Sequence, residues 1–119
     1  MVLASFAEGE TRIIHAERLR MKESDRIAAM EEELSKLEIK IESTYDTVSI
    51  FGKKNWPGGV LLCAHQDHRI AMALAIGATV ANEKIVIDQA ECVEKSYPGF
   101  FEDLKKLGIQ IELSEVSGY

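Results

Sequence analysis

The chain has 119 residues, of which 46% are hydrophobic and 29% are charged. This length and apolar content suit one compact domain and exclude global disorder. The 20 acidic and 14 basic side chains give a formal net charge of −6, which argues against a surface that binds nucleic acid or anionic lipid throughout. No apolar run approaches the about 20 residues that a membrane-spanning helix needs. Two cysteines, Cys63 and Cys92, are too few for a disulfide framework, so we expect small buried thiols in a reducing compartment.

The first half of the chain predicts the end of a helix, a strand, a second helix and two more strands. Val2–Phe6 is typical of the last turn of a helix whose beginning would precede the chain. Thr11–His15 predicts a short strand. Ser24 is predicted to cap a helix that runs to about Leu37, because apolar residues recur there at helical spacing. The acidic residues Glu31, Glu32 and Glu33 are placed on its solvent side. Alternating residues then predict strands around 39–41 and 48–50, joined by a turn.

The second half predicts alternating strands and helices after a loop over residues 53–59. The elements, in chain order, are a strand at Val60–Cys63, a buried helix from Arg69 to about Ala81, a strand at Lys84–Ile87, a helix at Tyr97–Leu107 and a strand at Ile109–Leu113. Asp67 is predicted to cap the first of these helices and Ser96 the second. Residues 114–119 are a tail. Helices that alternate with strands favour an α/β or α+β fold with helices packed on a small mixed sheet.

Basic residues lie at the predicted start of each helix, although most helix faces are acidic. A helix N-terminus attracts anions through its free N–H groups and its dipole, and a nearby cation strengthens such a site while it weakens the helix. Lys22, Arg26, Arg69 and Lys95 with His68 therefore suggest a site for several anionic groups. Each also has a simpler explanation. Lys22 and Arg26 could form a solvated edge paired with Glu23 and Asp25, His68 could cap or fill the core, Arg69 could pair with Asp67, and Lys95 and Glu23 could be ordinary surface residues.

The segments that carry these residues resemble a known family. Leu19-Arg20-Met21-Lys22-Glu23-Ser24-Asp25-Arg26 is similar to the LRxKESDR signature of the 5-enolpyruvylshikimate-3-phosphate synthases. Asp67-His68-Arg69-Ile70-Ala71-Met72-Ala73 is similar to that family's DHRxAMA segment, and Lys95-Ser96-Tyr97-Pro98-Gly99-Phe100-Phe101 is similar to its K-S-[FY]-P-x-[FY]-F segment. Three motifs in the right order make a more specific match than any one of them.

The resemblance implies an enolpyruvyl transferase fold, built from repeated βαβαββ units in two domains. The family enzyme is several times longer than this chain, which resembles only its C-terminal quarter. We expect residues 1–55 to be the tail of one folding unit and residues 60–113 to be the last unit.

The implied reaction moves the enolpyruvyl group of phosphoenolpyruvate to the 5-hydroxyl of shikimate 3-phosphate, in the shikimate pathway to chorismate and the aromatic amino acids. By resemblance, Arg26, Arg69 and Lys95 bind phosphoenolpyruvate, Lys22 contacts shikimate 3-phosphate, and His68 lies near the same ligand. Glu23 is the expected proton donor, and Lys95 assists proton transfer. No metal or organic cofactor, nucleic acid or membrane is implied. The herbicide glyphosate is an expected ligand of the phosphoenolpyruvate site.

Important parts of the family's site would precede the chain, namely the aspartate base and the side chains that clamp shikimate 3-phosphate. We therefore expect the fragment alone to be inactive, and the intact enzyme to be a cytoplasmic monomer. Three alternatives stay open at this point. They are a fragment of the related transferase that acts on UDP-N-acetylglucosamine, a non-catalytic folding unit, and a protein of RNA-end processing, which has a related repeated unit. The acidic charge and few aromatic residues disfavour the last.

Overall fold

A computed structural model describes residues 1–112 as two small sheets with three helices packed against them. The strands are β1 (Gly9–Ile13), β2 (Lys40–Ser43), β3 (Val48–Gly52), β4 (Leu61–Cys63) and β5 (Val86–Asp88). The helices are α1 (Arg26–Lys36), α2 (His68–Ala78) and α3 (Phe100–Lys106). Three 3₁₀ segments, Leu3–Phe6, Glu17–Met21 and Ala90–Lys95, complete the described elements. This is the mixed α/β architecture that the alternation of helices and strands predicts.

The first sheet is antiparallel, with the strand order β1-β3-β2. Thr11 and Ile41 lie on either side of Ile50, which is fully buried in the central strand. The predicted hairpin between β2 and β3 is confirmed, and Thr44 N donates to Thr47 O at 2.9 Å within its turn. Helix α1 packs on this sheet and buries Ile27, Leu34 and other apolar side chains of one face.

The second sheet contains only β4 and β5, which are parallel. In register Leu61 faces Val86 and Cys63 faces Asp88. Parallel strands require a crossover connection, and α2 supplies it here. Strand β4 ends at Cys63, so residues 64–67 lie between the end of a strand and the start of a helix. Such a position carries functional groups in many α/β folds.

One apolar core joins the two sheets. It includes Trp56, Leu62, Ile70 and Leu74 together with the apolar faces of α1, β2 and β3. A second, smaller cluster contains Ala71, Val93, Phe100 and Leu104 and fastens the 3₁₀ segment Ala90–Lys95 and α3 to α2. The core between the sheets is what fixes the N-terminus of α1 beside the N-terminus of α2.

The N-terminal part differs from the sequence predictions in four details. Residues Leu3–Phe6 form a 3₁₀ turn, and β1 occupies Gly9–Ile13 rather than residues 11–15. Asp25, not Ser24, caps α1, since its side chain accepts a hydrogen bond from Ala28 N. Glu33 was expected to face solvent, but it lies on the buried face of α1 and is 0% exposed. That prediction was wrong because Glu33 shares its face with Met30 and Leu37, three residues before it and four after it.

The C-terminal part differs in several ways. Helix α2 ends at Ala78 rather than near Ala81, and β5 occupies Val86–Asp88 rather than Lys84–Ile87. Helix α3 begins at Phe100 after Gly99, not at Tyr97 after Ser96. The residue before a proline is disfavoured in helical conformation, so Tyr97-Pro98 delays the helix. Residues 109–112 form no strand, and Leu113, the last residue of the predicted strand, lies outside the described residues. Gly108 has a φ of +92° and ends α3 as expected. None of the helices within residues 1–112 is long and apolar enough to cross a membrane.

Candidate functional site

The loop before α1 is held in place by Arg20. Its Nε donates to Tyr45 O at 2.8 Å and its Nη2 donates to Thr44 O at 2.6 Å. The third nitrogen, Nη1, lies 3.0 Å from Asp25 Oδ2. Arg20 thus connects the β2–β3 turn to the cap of α1. Because these contacts flank the segment on both sides, they fix the path of residues 21–24.

A buried ion pair joins the start of α1 to the start of α2. Arg26 Nε donates to Asp67 Oδ2 at 2.8 Å, and Arg26 Nη2 donates to Asp67 Oδ1 at 3.2 Å. Asp67 is 0% exposed and Arg26 is 9% exposed. The bidentate geometry suits a guanidinium and a carboxylate. This contact brings together the LRxKESDR-like and DHRxAMA-like segments, which are about forty residues apart in sequence.

Asp67 is fully satisfied by hydrogen bonds. Ser24 Oγ donates to Oδ2 at 2.7 Å, and the Arg69 amide donates to Oδ1 at 3.0 Å, which makes Asp67 the cap of α2 as predicted. Burial alone raises the pKa of Asp67. The hydrogen bonds from Arg26, Ser24 and Arg69 outweigh burial and hold the pKa below its ordinary value. Asp67 is therefore an ionised carboxylate that positions Arg26.

Two further polar side chains, Glu23 and His68, lie beside this ion pair. Glu23 Oε2 accepts from Arg26 Nη2 at 2.6 Å, and its side chain is 55% exposed. Ligand atoms of Glu23, Asp67 and His68 lie within 4.8 Å of one another. Lys22 and Arg69 are exposed next to them in sequence. The alternative in which Arg69 pairs with Asp67 is met only by the Arg69 backbone amide, and the ion pair of Asp67 is with Arg26.

Lys95 occupies a different setting from the one predicted. It is the last residue of the 3₁₀ segment Ala90–Lys95, and Ser96 follows as the C-terminal cap of that segment. The prediction that Lys95 precedes a helix start was therefore wrong, for the proline reason given above. Val93, two residues earlier, is fully buried against the cluster that contains Ala71 of α2. The packing of Val93 thereby connects the 3₁₀ segment that carries the exposed Lys95 to α2, the helix that begins with His68 and Arg69.

The segment between β4 and α2 is a strained turn. His65 and Gln66 have φ angles of 55° and 53°, and the Asp67 amide donates to Ala64 O at 3.0 Å. Two left-handed residues closed by such a bond are typical of a type I′ turn, which glycine, asparagine and aspartate usually fill. A residue other than glycine in this conformation costs about 1–2 kcal/mol. The surrounding contacts must therefore hold the turn in place.

Glu33 supplies those contacts from the buried face of α1. Its Oε1 accepts from the Cys63 amide at 2.7 Å and from Lys36 Nζ at 2.8 Å, and its Oε2 lies 2.7 Å from His65 Nε2. Burial raises the pKa of Glu33, but the hydrogen bonds from Lys36, Cys63 and His65 prevail and lower the pKa below its ordinary value. Glu33 is thus a second buried, ionised carboxylate that joins α1 to the same turn.

Within residues 1–112, two groups of three side chains have possible metal-ligand atoms within 4.8 Å of one another. One group is Glu23, Asp67 and His68, and the other is Glu32, Glu33 and His65. In each group the buried carboxylate already binds a basic side chain, Arg26 in the first and Lys36 in the second. A metal ion would have to displace or sit beside that cation, which is electrostatically unfavourable.

The sequence indicated candidate site residues but not the residues that hold them in place. Asp67 was recognised as a cap and as a possible partner of Arg69, and Ser24 was recognised only as the cap of α1, a role that Asp25 takes. Glu33 and His65 were not singled out. The signal for Glu33 was present, since an acid on the apolar face of an amphipathic helix needs a buried partner. Which partner it finds depends on the packing of α1 against β4, and the sequence alone does not show this packing.

A family model and similar curated proteins all point to one enzyme family. The family model described as EPSP synthase (3-phosphoshikimate 1-carboxyvinyltransferase) matches residues 1–104. The chain is 50% identical over 107 residues to the 3-phosphoshikimate 1-carboxyvinyltransferase of Clostridium perfringens, which covers 90% of this chain and 25% of that protein. It is 49% identical over 111 residues to the enzyme of that name from Clostridioides difficile, which covers 93% of this chain and 25% of that protein.

Solved structures agree with this result. An EPSP synthase from Acinetobacter baumannii matches with a TM-score of 0.89 and 36% identity, over 96% of this chain and 27% of that one. The enolpyruvyl transferase NikO from Streptomyces tendae matches with a TM-score of 0.73 and 25% identity, over 93% of this chain and 24% of that one. The chain therefore spans about a quarter of the length of the proteins that it matches.

Proposed function

Because the chain belongs to the EPSP synthase family, we propose that it supplies the phosphoenolpyruvate-binding part of a 3-phosphoshikimate 1-carboxyvinyltransferase. The observation that carries the proposal is the buried Arg26–Asp67 ion pair. It supports the proposal because it joins the starts of two separate motifs, and Glu23 and His68, the neighbours of Lys22 and Arg69 in sequence, have ligand atoms within 4.8 Å of Asp67. The division into units over residues 1–55 and 60–113, a cytoplasmic location and a monomeric intact enzyme belong to the same proposal.

Arg26 is suited to hold an anion while it remains attached to the protein. Its hydrogen bonds to Asp67 and Glu23 use Nε and Nη2. Nη1 makes no such bond. Since it is also not one of the buried unpaired atoms of residues 1–112, it is accessible to a ligand. We assign Nη1 to an oxygen of phosphoenolpyruvate. Arg69 adds a second guanidinium at the first turn of α2, and Lys95 adds a mobile point charge, so phosphate and carboxylate can be bound separately.

The reaction begins with addition. The 5-hydroxyl oxygen of shikimate 3-phosphate bonds to C2 of phosphoenolpyruvate, its proton passes to a base, and the C3 methylene group receives a proton from an acid. The resulting intermediate then loses a methyl proton and inorganic phosphate, and the enol ether remains. Cations at the phosphate stabilise the charge on the leaving group. In the proposal Arg26, Arg69 and Lys95 fill this role, and Lys22 contacts shikimate 3-phosphate.

Glu23 is the proposed donor of the proton to C3. In the structure its carboxylate accepts a hydrogen bond from Arg26 at 2.6 Å. A general acid must carry a proton when the substrate is bound. We propose that the anionic substrate bound at Nη1 also displaces Glu23 from Nη2, while the bonds to Asp67 keep Arg26 in place. This leaves Glu23 free to hold that proton. Lys95 assists the proton transfer, and His68 contacts the same ligand.

The proposal is tested in a hybrid synthase, in which this chain replaces the matching quarter of the Clostridium perfringens relative. The hybrid should release inorganic phosphate from the two substrates, whereas the 119-residue chain alone should not. Loss of one charge-stabilising donor typically lowers kcat by about 10²–10³-fold, so Arg69→Ala should have an effect of that size. Arg12→Ala, an exposed arginine on β1, is the matched control. Phosphate release by the chain alone, or a near-normal rate for Arg69→Ala, would contradict the proposal.

A further inference from the structure

We propose that Glu33 is a positioning residue: its buried carboxylate holds the turn Ala64–Asp67, so that Asp67 stays paired with Arg26 while His68 and Arg69 face the ligand. This inference rests on the function proposed above for Arg26, His68 and Arg69. Its geometric part can be tested without any substrate.

The residues in the turn do not suit its backbone. His65 and Gln66 occupy the two left-handed positions, where glycine or asparagine would fit without strain. A sequence that needed only a stable turn would place one of those residues at position 65. Histidine adds a side chain long enough to reach Glu33, and this contact is what distinguishes it from asparagine.

Glu33 holds the turn at two points. The Cys63 amide, just before the turn, donates to Oε1 at 2.7 Å, and the ring of His65, the first left-handed residue, lies 2.7 Å from Oε2. An ionised carboxylate only accepts hydrogen bonds, so His65 Nε2 carries a proton. Lys36 Nζ, one helical turn along α1, holds Oε1 at 2.8 Å and fixes the rotamer of Glu33. Glu33 therefore fixes the position of the turn relative to α1.

The far end of the turn leads directly into the site. Asp67 closes the turn through its amide, caps α2 through its side chain and binds Arg26, the first residue of α1. Helix α1 thus grips the segment at Cys63 and His65 through Glu33 and at Asp67 through Arg26. If the Glu33 contacts are lost, Asp67 keeps its partner, but the turn behind it gains freedom. The resulting displacement falls on His68 and Arg69.

The first experiment measures amide hydrogen exchange in the 119-residue chain. Glu33→Leu should accelerate exchange at the Asp67 and Arg69 amides at least about tenfold more than at the Asn82 amide, which is bonded to Trp56 O at the far end of α2. Glu32→Leu is the matched control, since Glu32 is adjacent, 61% exposed and 3.7 Å from the same His65 ring. Equal acceleration at all three amides, or none, would overturn the proposal, because Glu33 would then act only on global stability or not at all.

The second experiment measures kinetics in the hybrid synthase. Glu33→Leu and His65→Asn should lower kcat/KM for phosphoenolpyruvate by about 10–100-fold, mainly through KM, since displacement of a binding group by about 1 Å has effects of this size. Glu33→Gln should keep most of the activity, because its amide oxygen can accept from the Cys63 amide and its NH2 group can donate to His65 Nε2 once the ring carries its proton on Nδ1. Asparagine fits the left-handed conformation with less strain, which offsets part of the lost hydrogen bond to Glu33, so His65→Asn should lower the melting temperature less than Glu33→Leu does.

The two experiments fail in different ways. An inactive parent hybrid would contradict the proposed function and leave the exchange result to decide whether Glu33 fixes the turn. An active hybrid in which Glu33→Leu and His65→Asn keep kcat/KM within twofold of the parent would contradict the positioning role alone. Loss of function in Glu33→Gln equal to that in Glu33→Leu would also overturn it, because shape and hydrogen bonding would then not be what matters.

Discussion

Two buried carboxylates join α1 to the segment between β4 and α2, and they do so with opposite polarity. At the start of α1 the cation belongs to the helix, as Arg26, and the anion belongs to the segment, as Asp67. Two turns along, Glu33 supplies the anion from the helix, and Cys63 and His65 supply the donors. The first contact opens onto exposed charged groups and the second is closed by Lys36. Burial of a charge by itself therefore does not mark a functional site; what matters is which groups around it remain available to a ligand.

The largest loss of stability is expected when the Arg26–Asp67 ion pair is broken by removal of Asp67, its partner in the segment between β4 and α2. Asp67→Ala leaves the buried Arg26 with only the exposed carboxylate of Glu23, and loss of one partner of a buried pair costs about 3–5 kcal/mol. Urea unfolding of the 119-residue chain measures this change in the free energy of unfolding. Asp25→Ala is the control, because it removes the cap of α1 and a partly exposed ion pair with Arg20, which together should cost about 1–2 kcal/mol. Equal effects for the two variants would show that Arg26 is readily solvated without Asp67.

A smaller effect is expected when the second contact is broken. Glu33→Leu leaves the Cys63 amide without its partner, which costs about 1–3 kcal/mol, while Lys36, whose side chain is 37% exposed, can turn to solvent. Glu32→Leu at the exposed neighbouring position should change stability by about 0.5 kcal/mol or less. Thermal unfolding of both variants checks the difference. A larger loss for Glu33→Leu than for Asp67→Ala would reverse the proposed ranking of the two contacts.

Acid should weaken both contacts together. The pKa values of Asp67 and Glu33 are below their ordinary values in the folded chain, so the unfolded chain binds more protons as the pH falls below about 4. The stability from both groups is therefore present above that range and is lost as the pH falls through the folded pKa values. The free energy of unfolding, measured from pH 7 to 2, should show this decline. The double variant Asp67→Asn, Glu33→Gln should show a shallower one, and an unchanged slope would contradict the assignment.

The smallest loss of stability is expected when Ser24, which supports the Arg26–Asp67 ion pair without being part of it, is changed. Ser24 Oγ donates to Asp67 Oδ2 at 2.7 Å, and removal of one hydrogen bond to a charged group costs about 1.5–3 kcal/mol when the acceptor stays buried and less when water replaces the donor. Because Ser24 is only half-buried, Ser24→Ala should fall at or below about 1.5 kcal/mol. Calorimetry of Ser24→Ala beside Ser35→Ala, whose hydroxyl binds Glu31 O, tests whether the contact with Asp67 is the one that matters.

The sequence allowed most of the elements to be predicted and candidate site residues to be named, but not the contacts that hold those residues in place. Periodicity located α1 and α2 because their apolar faces are continuous. It failed at Tyr97-Pro98, where a local backbone restriction outweighed a good capping residue. It also failed at Glu33, because an acid on an apolar face can be assigned only when its partner is known. His65 and Cys63 become that partner through the packing of α1 against β4, which is long-range in sequence.

The central claim is that the Arg26–Asp67 contact makes one anion site from two motifs, and titration of the 119-residue chain with phosphoenolpyruvate tests it most directly. In ¹H–¹⁵N spectra the amides near Lys22 and Arg26 and those near His68 and Arg69 should shift together along a single binding curve, however weak. In Asp67→Asn that shared response should be lost or shifted to higher concentration at both motifs. Shifts confined to one motif, or two curves with different midpoints in the unmodified chain, would contradict the claim.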